Sequence, residues 1–195
     1  MLDHDGVFLR ELCQHHVSGK LKVAPEHITP QALAAMGKPG MSVYERFRDA
    51  FDEVNRSLGM RQFIVPYFIS SHPGTTLRDA VALAEYFRDQ GGTPEQVQDF
   101  YPTPGTLATC MYYTGIDPRS GKPVPVPTTH AEKAMQRALL QYRDPRNYQQ
   151  VRRALEQTGR TDLIGNGPKC LIPARPPSDG RRRSPTPKSA SHRRR

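Results

Sequence analysis

FIVPYFISSHPG, residues 63–74, decides how this 195-residue chain is read. Seven residues run without a charge or a polar amide and then break into Ser70, Ser71 and His72, followed by the turn pair Pro73-Gly74. A continuous apolar run bounded by turn chemistry is the pattern of a strand covered on both faces, as in parallel sheets. Two further runs have this form: LKV breaking into APEH (21–27) and VQDF breaking into YPTPGT (97–106). In parallel sheets and barrels the chemistry gathers just beyond the C-terminal ends of the strands. Glu26, His27, Ser70, Ser71, His72, Asp99, Tyr101 and Thr103 are therefore expected along one rim. Pro66 works against the strand, because proline normally confines a segment to a sheet edge or a bulge, yet the length of the run still predicts one.

Outward from these runs the period changes to that of helices. Val7, Phe8, Leu9, Leu12 and Cys13 form a stripe that Ser18-Gly19 ends. Thr29-Pro30 reads as an N-cap with proline at the first helical position. Ser42 reads as the cap of a helix whose stripe is Val43, Tyr44, Phe47, Ala50, Phe51, Val54 and Leu58, with Glu45 completing a capping box. Thr76 begins another, with Leu77, Ala80, Val81, Ala84 and Phe87 on one face. Residues 102–127 are rich in Pro, Gly, Thr and Tyr and read as a long irregular segment. Two amphipathic helices follow, near 129–142 and 145–157, and Asn166-Gly167-Pro168 is expected to end the ordered structure. The fold class is α/β, with about three parallel strands and their helices in residues 1–127, a helical C-terminal extension in 128–165 and a disordered basic tail in 166–195. Three such strands neither bury a sheet on both faces nor seal its edges, so the chain reads as half of a larger unit.

Charge is concentrated at one end. Residues 175–195 carry eight Lys/Arg against one Asp, a balance of +7 out of +9 for the chain. Their Pro/Ser/Arg composition lacks the apolar content to offset the entropy of ordering. Such a tail can neutralise phosphates, so RNA or another polyanion is one expected partner, and a merely solvated tail is the other reading. It has no aromatic side chain for base stacking. No apolar stretch approaches the ~20 residues of a membrane helix, and the first residues lack the pattern of a secretory signal, so no membrane association and a cytoplasmic location are expected. Cys13, Cys110 and Cys170 are scattered, which argues against a disulfide framework and against a zinc site.

Four strings carry a resemblance: SGKLKVAPEH, PYFISSHPG, PEQVQDFYPTPGTLATCMYYTG and KAMQRALLQYR. They resemble the C-terminal half of the YgiQ-type radical SAM proteins, a bacterial family of undefined substrate, over most of residues 4–165. The resemblance implies the later strands of an incomplete radical SAM (β/α) barrel. In the full-length family member it implies S-adenosyl-L-methionine and a 4Fe–4S cluster held by a CxxxCxxC motif. That motif is absent here, so no cofactor is expected to be held by this chain alone, and the missing N-terminal half of the barrel becomes its implied partner. KVAPEHITPQAL runs parallel to a fourth-strand segment whose carboxylate faces the cofactor, which places Glu26 at that carboxylate. FISSHPGTT resembles a FIxGxPGET pattern in Pro73, Gly74 and Thr76, while Ser71 and Thr75 depart from it.

Chemically, a carboxylate at Glu26 can accept from an ammonium or from ribose hydroxyls. Ser70, Ser71 and His72 beside Pro73-Gly74 suggest a polar nest near a helix N-terminus, suited to an anionic group. A Ser-His nucleophile is a weak reading, since no acid is indicated to orient the imidazole. His27 reads as support for the following helix start. Asp99, Tyr101, Thr103, Tyr112 and Tyr113 are candidates for an unknown substrate's side of the site. The aromatic members and Asp99 equally suit packing of the rim. Cys110 lies inside a matched string, but its reactivity needs a lowered pKa that sequence does not display.

Overall fold

The computed structural model describes residues 6–94 and 96–177. Most of the basic tail therefore lies outside the described residues. Three strands, β1 (Lys20–Glu26), β2 (Phe63–Ser70) and β3 (Gln96–Asp99), form a parallel sheet in the order β1-β2-β3. The chain passes from β1 to β2 through α2 (Pro30–Met36) and α3 (Met41–Leu58), after an N-terminal α1 (Val7–Glu11) that widens into a π-helical turn, Leu12–His16. From β2 to β3 it crosses through α4 (Leu77–Asp89). Beyond β3 come α5 (Leu107–Thr114), a short hairpin of β4 (Ile116–Asp117) and β5 (Lys122–Pro123), then α6 (His130–Leu140) and α7 (Tyr148–Gln157). Among the described residues no helix is long and apolar enough to cross a membrane.

The central strand tolerates Pro66 because of where its neighbours pair. Pro66 lies opposite Val23, immediately before the β1 register breaks between Val23 and Glu26. On the other side, β3 pairs only from Tyr67 onward. The missing N–H of proline thus falls where the ladder is already interrupted. The same irregularity carries β1 three residues beyond the expected LKV, to Glu26.

Several expected boundaries move. Ser42 does not cap α3: the N-cap is Gly40, with no side-chain cap bond, and Val43 N–H donates to Gly40 O at 3.0 Å, so the helix begins at Met41, one residue before Ser42. Thr76 does cap α4, through a capping box with Asp79 in which both reciprocal bonds form. Residues 102–127 are not irregular throughout. The Thr106 side chain accepts from Thr109 N–H to start α5, fully buried Met111 anchors that helix, and Asp117 Oδ1 accepts from Arg119 N–H at 3.0 Å to shape the hairpin. Packing also continues past Asn166–Pro168. Gly165 N–H donates to Ile172 O at 2.9 Å and Leu171 N–H to Leu163 O at 2.8 Å, which draws Leu171 and Ile172 into the core.

The main core lies on one side of the sheet. Phe68 of β2 meets Ala80, Val81, Leu83, Ala84 and Phe87 of α4, and these pack on α6 and α7 through Leu139, Leu140, Val151 and Leu155. A second cluster joins Leu9 and Cys13 to Phe51 of α3. Among the described residues nothing covers the other face of the sheet: Lys20, Lys22, Ala24 and Gln98 are exposed, and Phe63 is 63 % exposed. Burying an aromatic side chain stabilises a fold by roughly 1.5–3 kcal/mol, so a face that leaves Phe63 in water forgoes that contribution in the chain alone.

Candidate active site

The three strand ends converge. A cleft of about 480 Å³ opens at the C-terminal rim, floored by Tyr67, Ile69 and Gln98 on the uncovered face and walled by Glu26, His72, Asp99 and the segment from Phe100 to Ala108. Of the residues expected on the rim, Glu26, His72, Asp99, Tyr101 and Thr103 are brought together here. Ser70 and Ser71 are buried behind it, at 2 % and 1 % exposure, with Ser70 Oγ donating to Asp99 Oδ1.

Glu26 and Ser71 are the described non-glycine residues with left-handed backbone, at φ 64° and 61°. They end adjacent strands. The αL conformation is strained for residues with a Cβ, and strain of this kind clusters at functional sites. Glu26 Oε1 pairs with Lys38 Nζ at 3.2 Å, and the same ammonium donates to Ala24 O at 3.0 Å, so the loop between α2 and α3 holds the carboxylate over the rim.

The Ser71–Thr76 loop is positioned from within. Gly74 has φ 92° and a Cβ there would stand 2.3 Å from Ala35 Cβ of α2, which is why Gly follows Pro73. Ser71 N–H donates to Gln136 Oε1, Gly74 N–H to Pro125 O, Thr75 N–H to His72 O and Thr76 N–H to Asp79 Oδ2. These four donors are engaged inside the chain, and the N-terminus of α4 already holds a carboxylate. The loop as folded therefore presents no ready nest of free N–H groups to an anion. Ser71 Oγ and Gln136 Nε2 are sealed behind it without a partner.

Two imidazoles sit in this region with opposite tautomers. His72 Nδ1 is 2.6 Å from Pro73 O, a carbonyl that only accepts, so Nδ1 carries the proton. His27 Nδ1 accepts from Thr29 N–H at 3.2 Å, so its proton sits on Nε2. Burial pushes His27 down to about 4, against the upward pull of Asp79 and with a further push from His72. Burial also lowers His72, opposed by its bond to Pro73 and by the Glu26 charge.

Asp99 is tied into the cleft wall, while Tyr112, Tyr113 and the cysteines are not among its lining residues. Asp99 Oδ2 pairs with Arg137 at 3.1 Å. Tyr112 stacks on Phe100 at 5.6 Å and accepts from Lys133 Nζ at 2.9 Å, while Tyr113 is 75 % exposed beside it. Cys110 is exposed, and Cys13 is buried with its thiol pushed up by that burial. Tyr67, Gln98, Phe100 and Lys38 were not anticipated. Tyr67 donates to Gln98 Oε1 at 2.5 Å. The alternation of polar residues in VQDF, with Gln98 on the open face, was the available signal, whereas Lys38 lies in a glycine-flanked loop that no pattern places at the rim.

Known proteins extend this picture. The family described as a domain of unknown function, DUF3362, matches residues 95–195. A UPF0313 protein of Clostridium perfringens is 59 % identical over 172 residues, covering 88 % of this chain and 26 % of the relative. One from Methanosarcina mazei is 56 % identical over 168 residues, covering 86 % and 27 %. Another, from Clostridium botulinum, is 54 % identical over 173 residues, covering 89 % and 27 %. The chain thus spans about a quarter of the length of the curated relatives it matches. No solved structure matches it. With its C-terminal half matched by the DUF3362 model and nearly all of its length aligned to these relatives, the chain belongs to the UPF0313 family, of which DUF3362 is the C-terminal domain.

Proposed function

We propose that this chain forms the C-terminal side of a radical SAM active site, one that the remaining three quarters of a UPF0313 protein completes. The observation that carries the proposal is the rim itself. Three parallel strands, open on one face, end together at a cleft that holds a strained, cation-tethered carboxylate and a buried imidazole. A (β/α) barrel places its chemistry at this end, and the uncovered face is where further strands would enclose a lumen.

The donor set fits the organic cofactor and not the cluster. An iron–sulfur cluster needs clustered cysteine thiolates, and among the described residues no group of His, Cys, Asp or Glu is arranged to hold a metal. Cluster ligation is assigned to the part of the longer protein outside this chain. Glu26, by contrast, suits the ammonium or ribose hydroxyls of S-adenosylmethionine. When bound at a reduced cluster, that cofactor supplies a carbon radical. Within this chain Glu26 binds and orients, Lys38 keeps its carboxylate at the rim, and Tyr67, Gln98, Phe100 and Tyr101 line the space for substrate.

The test is Glu26→Gln in the full-length protein. A charge-assisted hydrogen bond contributes roughly 1.5–3 kcal/mol, so S-adenosylmethionine affinity measured by calorimetry at matched cluster content should fall about tenfold or more. Equal affinities would remove Glu26 from the site. A full-length protein that binds neither cluster nor cofactor would overturn the proposal as a whole.

A further inference from the structure

We infer that His72 is a proton acceptor for the substrate, with Nε2 as the accepting atom and Glu26 as the charge that stabilises the imidazolium formed. The inference deepens the reading of the rim as an active site and assigns to His72 a role on the substrate rather than on the cofactor.

Its geometry is that of a fixed base. The bond from Nδ1–H to Pro73 O leaves the lone pair on Nε2. The ring is 5 % exposed and stands edge-on to Phe100 at 4.9 Å, so it is held against rotation. Nε2 has no partner among the described residues, yet it is not among the polar atoms sealed from solvent, and His72 lines the cleft. The covered ring thus leaves its basic nitrogen unpartnered and not wholly sealed. A general base needs its acceptor atom within hydrogen-bond reach of the proton it removes and a pKa that leaves it neutral at working pH.

The charged surroundings favour transfer. Glu26 of β1 faces His72 and raises its proton affinity, offsetting part of the burial that lowers it. Glu26 itself pairs with Lys38 and Asp99 of β3 with Arg137, so each carboxylate acts beside a cation; Asp79 of α4 is engaged in the capping box, and His27, pushed down to about 4, is uncharged near neutrality. The step is a simple one. A substrate hydroxyl or amine donates its proton to Nε2, the bonding pair stays on the substrate oxygen or nitrogen, and the positive imidazolium faces the Glu26 carboxylate. The substrate class is a molecule that presents such a polar hydrogen in a cleft walled by Phe100 and Tyr101.

The experiment uses the chain itself, with no cofactor, so its outcome is independent of radical SAM chemistry. Long-range proton–nitrogen correlation spectra of histidine-labelled protein at neutral pH should show His72 protonated at Nδ1 and bare at Nε2, with His27 opposite in the same spectrum. Diethyl pyrocarbonate at neutral pH should acylate His72 at Nε2, with exposed His15 and His16 as positive controls. In Glu26→Gln the pH of half-reactivity at His72 should shift downward. An Nε2–H tautomer in the wild-type chain, or a His72 that stays unmodified while His15 and His16 react, overturns the inference, as does an unshifted titration in Glu26→Gln.

Discussion

Replacing Glu26 with alanine and, separately, with glycine separates what this residue does for the fold from what it does for the site. Both variants lose the carboxylate and its 3.2 Å pair with Lys38. That pair is partly solvated, with the two side chains 32 % and 21 % exposed, and such pairs contribute about 0–1 kcal/mol. Alanine keeps the αL penalty of φ 64°, which is roughly 1–2 kcal/mol for a residue with a Cβ. Glycine removes that penalty but enlarges the unfolded ensemble by about 0.4–1 kcal/mol. The glycine variant should therefore exceed the alanine variant by about 1 kcal/mol, or roughly 2–4 °C in melting temperature for a chain of this size, and should come close to the wild type. Thermal melts followed by circular dichroism read the difference directly. Alanine melting at or above glycine would refute a positive φ at Glu26. If the order holds, the backbone alone favours glycine here, and a carboxylate is present for its chemistry.

Two further outcomes follow from the buried polar groups. His27 binds a proton at its ordinary 6.5 when unfolded but only near about 4 when folded, so the unfolded state holds more protons between those values and stability rises with pH through that window. The contribution, about 3 kcal/mol at most, is fully present above pH 6.5 and lost as the pH falls toward 4. His27→Asn, which keeps an acceptor for Thr29 N–H, should flatten this acid limb in denaturant titrations at several pH values, and an unchanged limb would refute it. Gln136→Leu removes the acceptor for Ser71 N–H and for one of the two bonds of Thr75 Oγ1. One stranded backbone donor costs about 1–3 kcal/mol, partly offset by loss of the already unpartnered Nε2, so a net destabilisation of roughly 1–2 kcal/mol is expected in urea unfolding, and no loss would mean that the loop is held otherwise.

The sheet was legible because its strands depend on local patterns: apolar runs, turn residues at their ends and capped helices between them. Thr76 was legible as a cap for the same reason, since its partner Asp79 is three residues away. What sequence did not display was geometry made by residues distant in the chain. Ser42 and Gly40 compete for one helix start, and composition favours the serine while the backbone bond from Val43 to Gly40 decides for the glycine. Leu171 and Ile172 follow a run of breakers that reads as an exit, yet they return to Leu163 through backbone bonds that no periodicity signals. Within the cleft, Glu26, His72 and Asp99 were found by the strand-end rule. The opposite tautomers of the two histidines, the αL backbone of Glu26 and the reach of Lys38 depend on tertiary contacts and had no sequence signature.

The charges around the cleft constrain what it can select. Asp99 has one oxygen on Ser70 and the other on Arg137, and Glu26 has one oxygen on Lys38. Each carboxylate thus carries its own cation, and the rim presents no large field of either sign to draw a charged ligand from a distance. On the proposed reading, recognition falls to the polar groups still open, the second oxygen of Glu26, Nε2 of His72, Nε2 of Gln98 and the Tyr101 hydroxyl, and to the aromatic wall of Phe100 and Tyr101. The first two are acceptors, and the other two can donate. With Nε2 of His72 as the covered acceptor beside aromatic surface, the proposed site would favour ligands that present an N–H or O–H to it and would reject an analogue lacking that donor, because Nε2 would then be desolvated with nothing to bind. That discrimination requires exclusion of water, which the open face with exposed Phe63 does not provide by itself. If the rest of a UPF0313 protein covers the sheet as proposed, specificity should therefore appear only in the longer protein, even though the groups argued to set it lie within this chain.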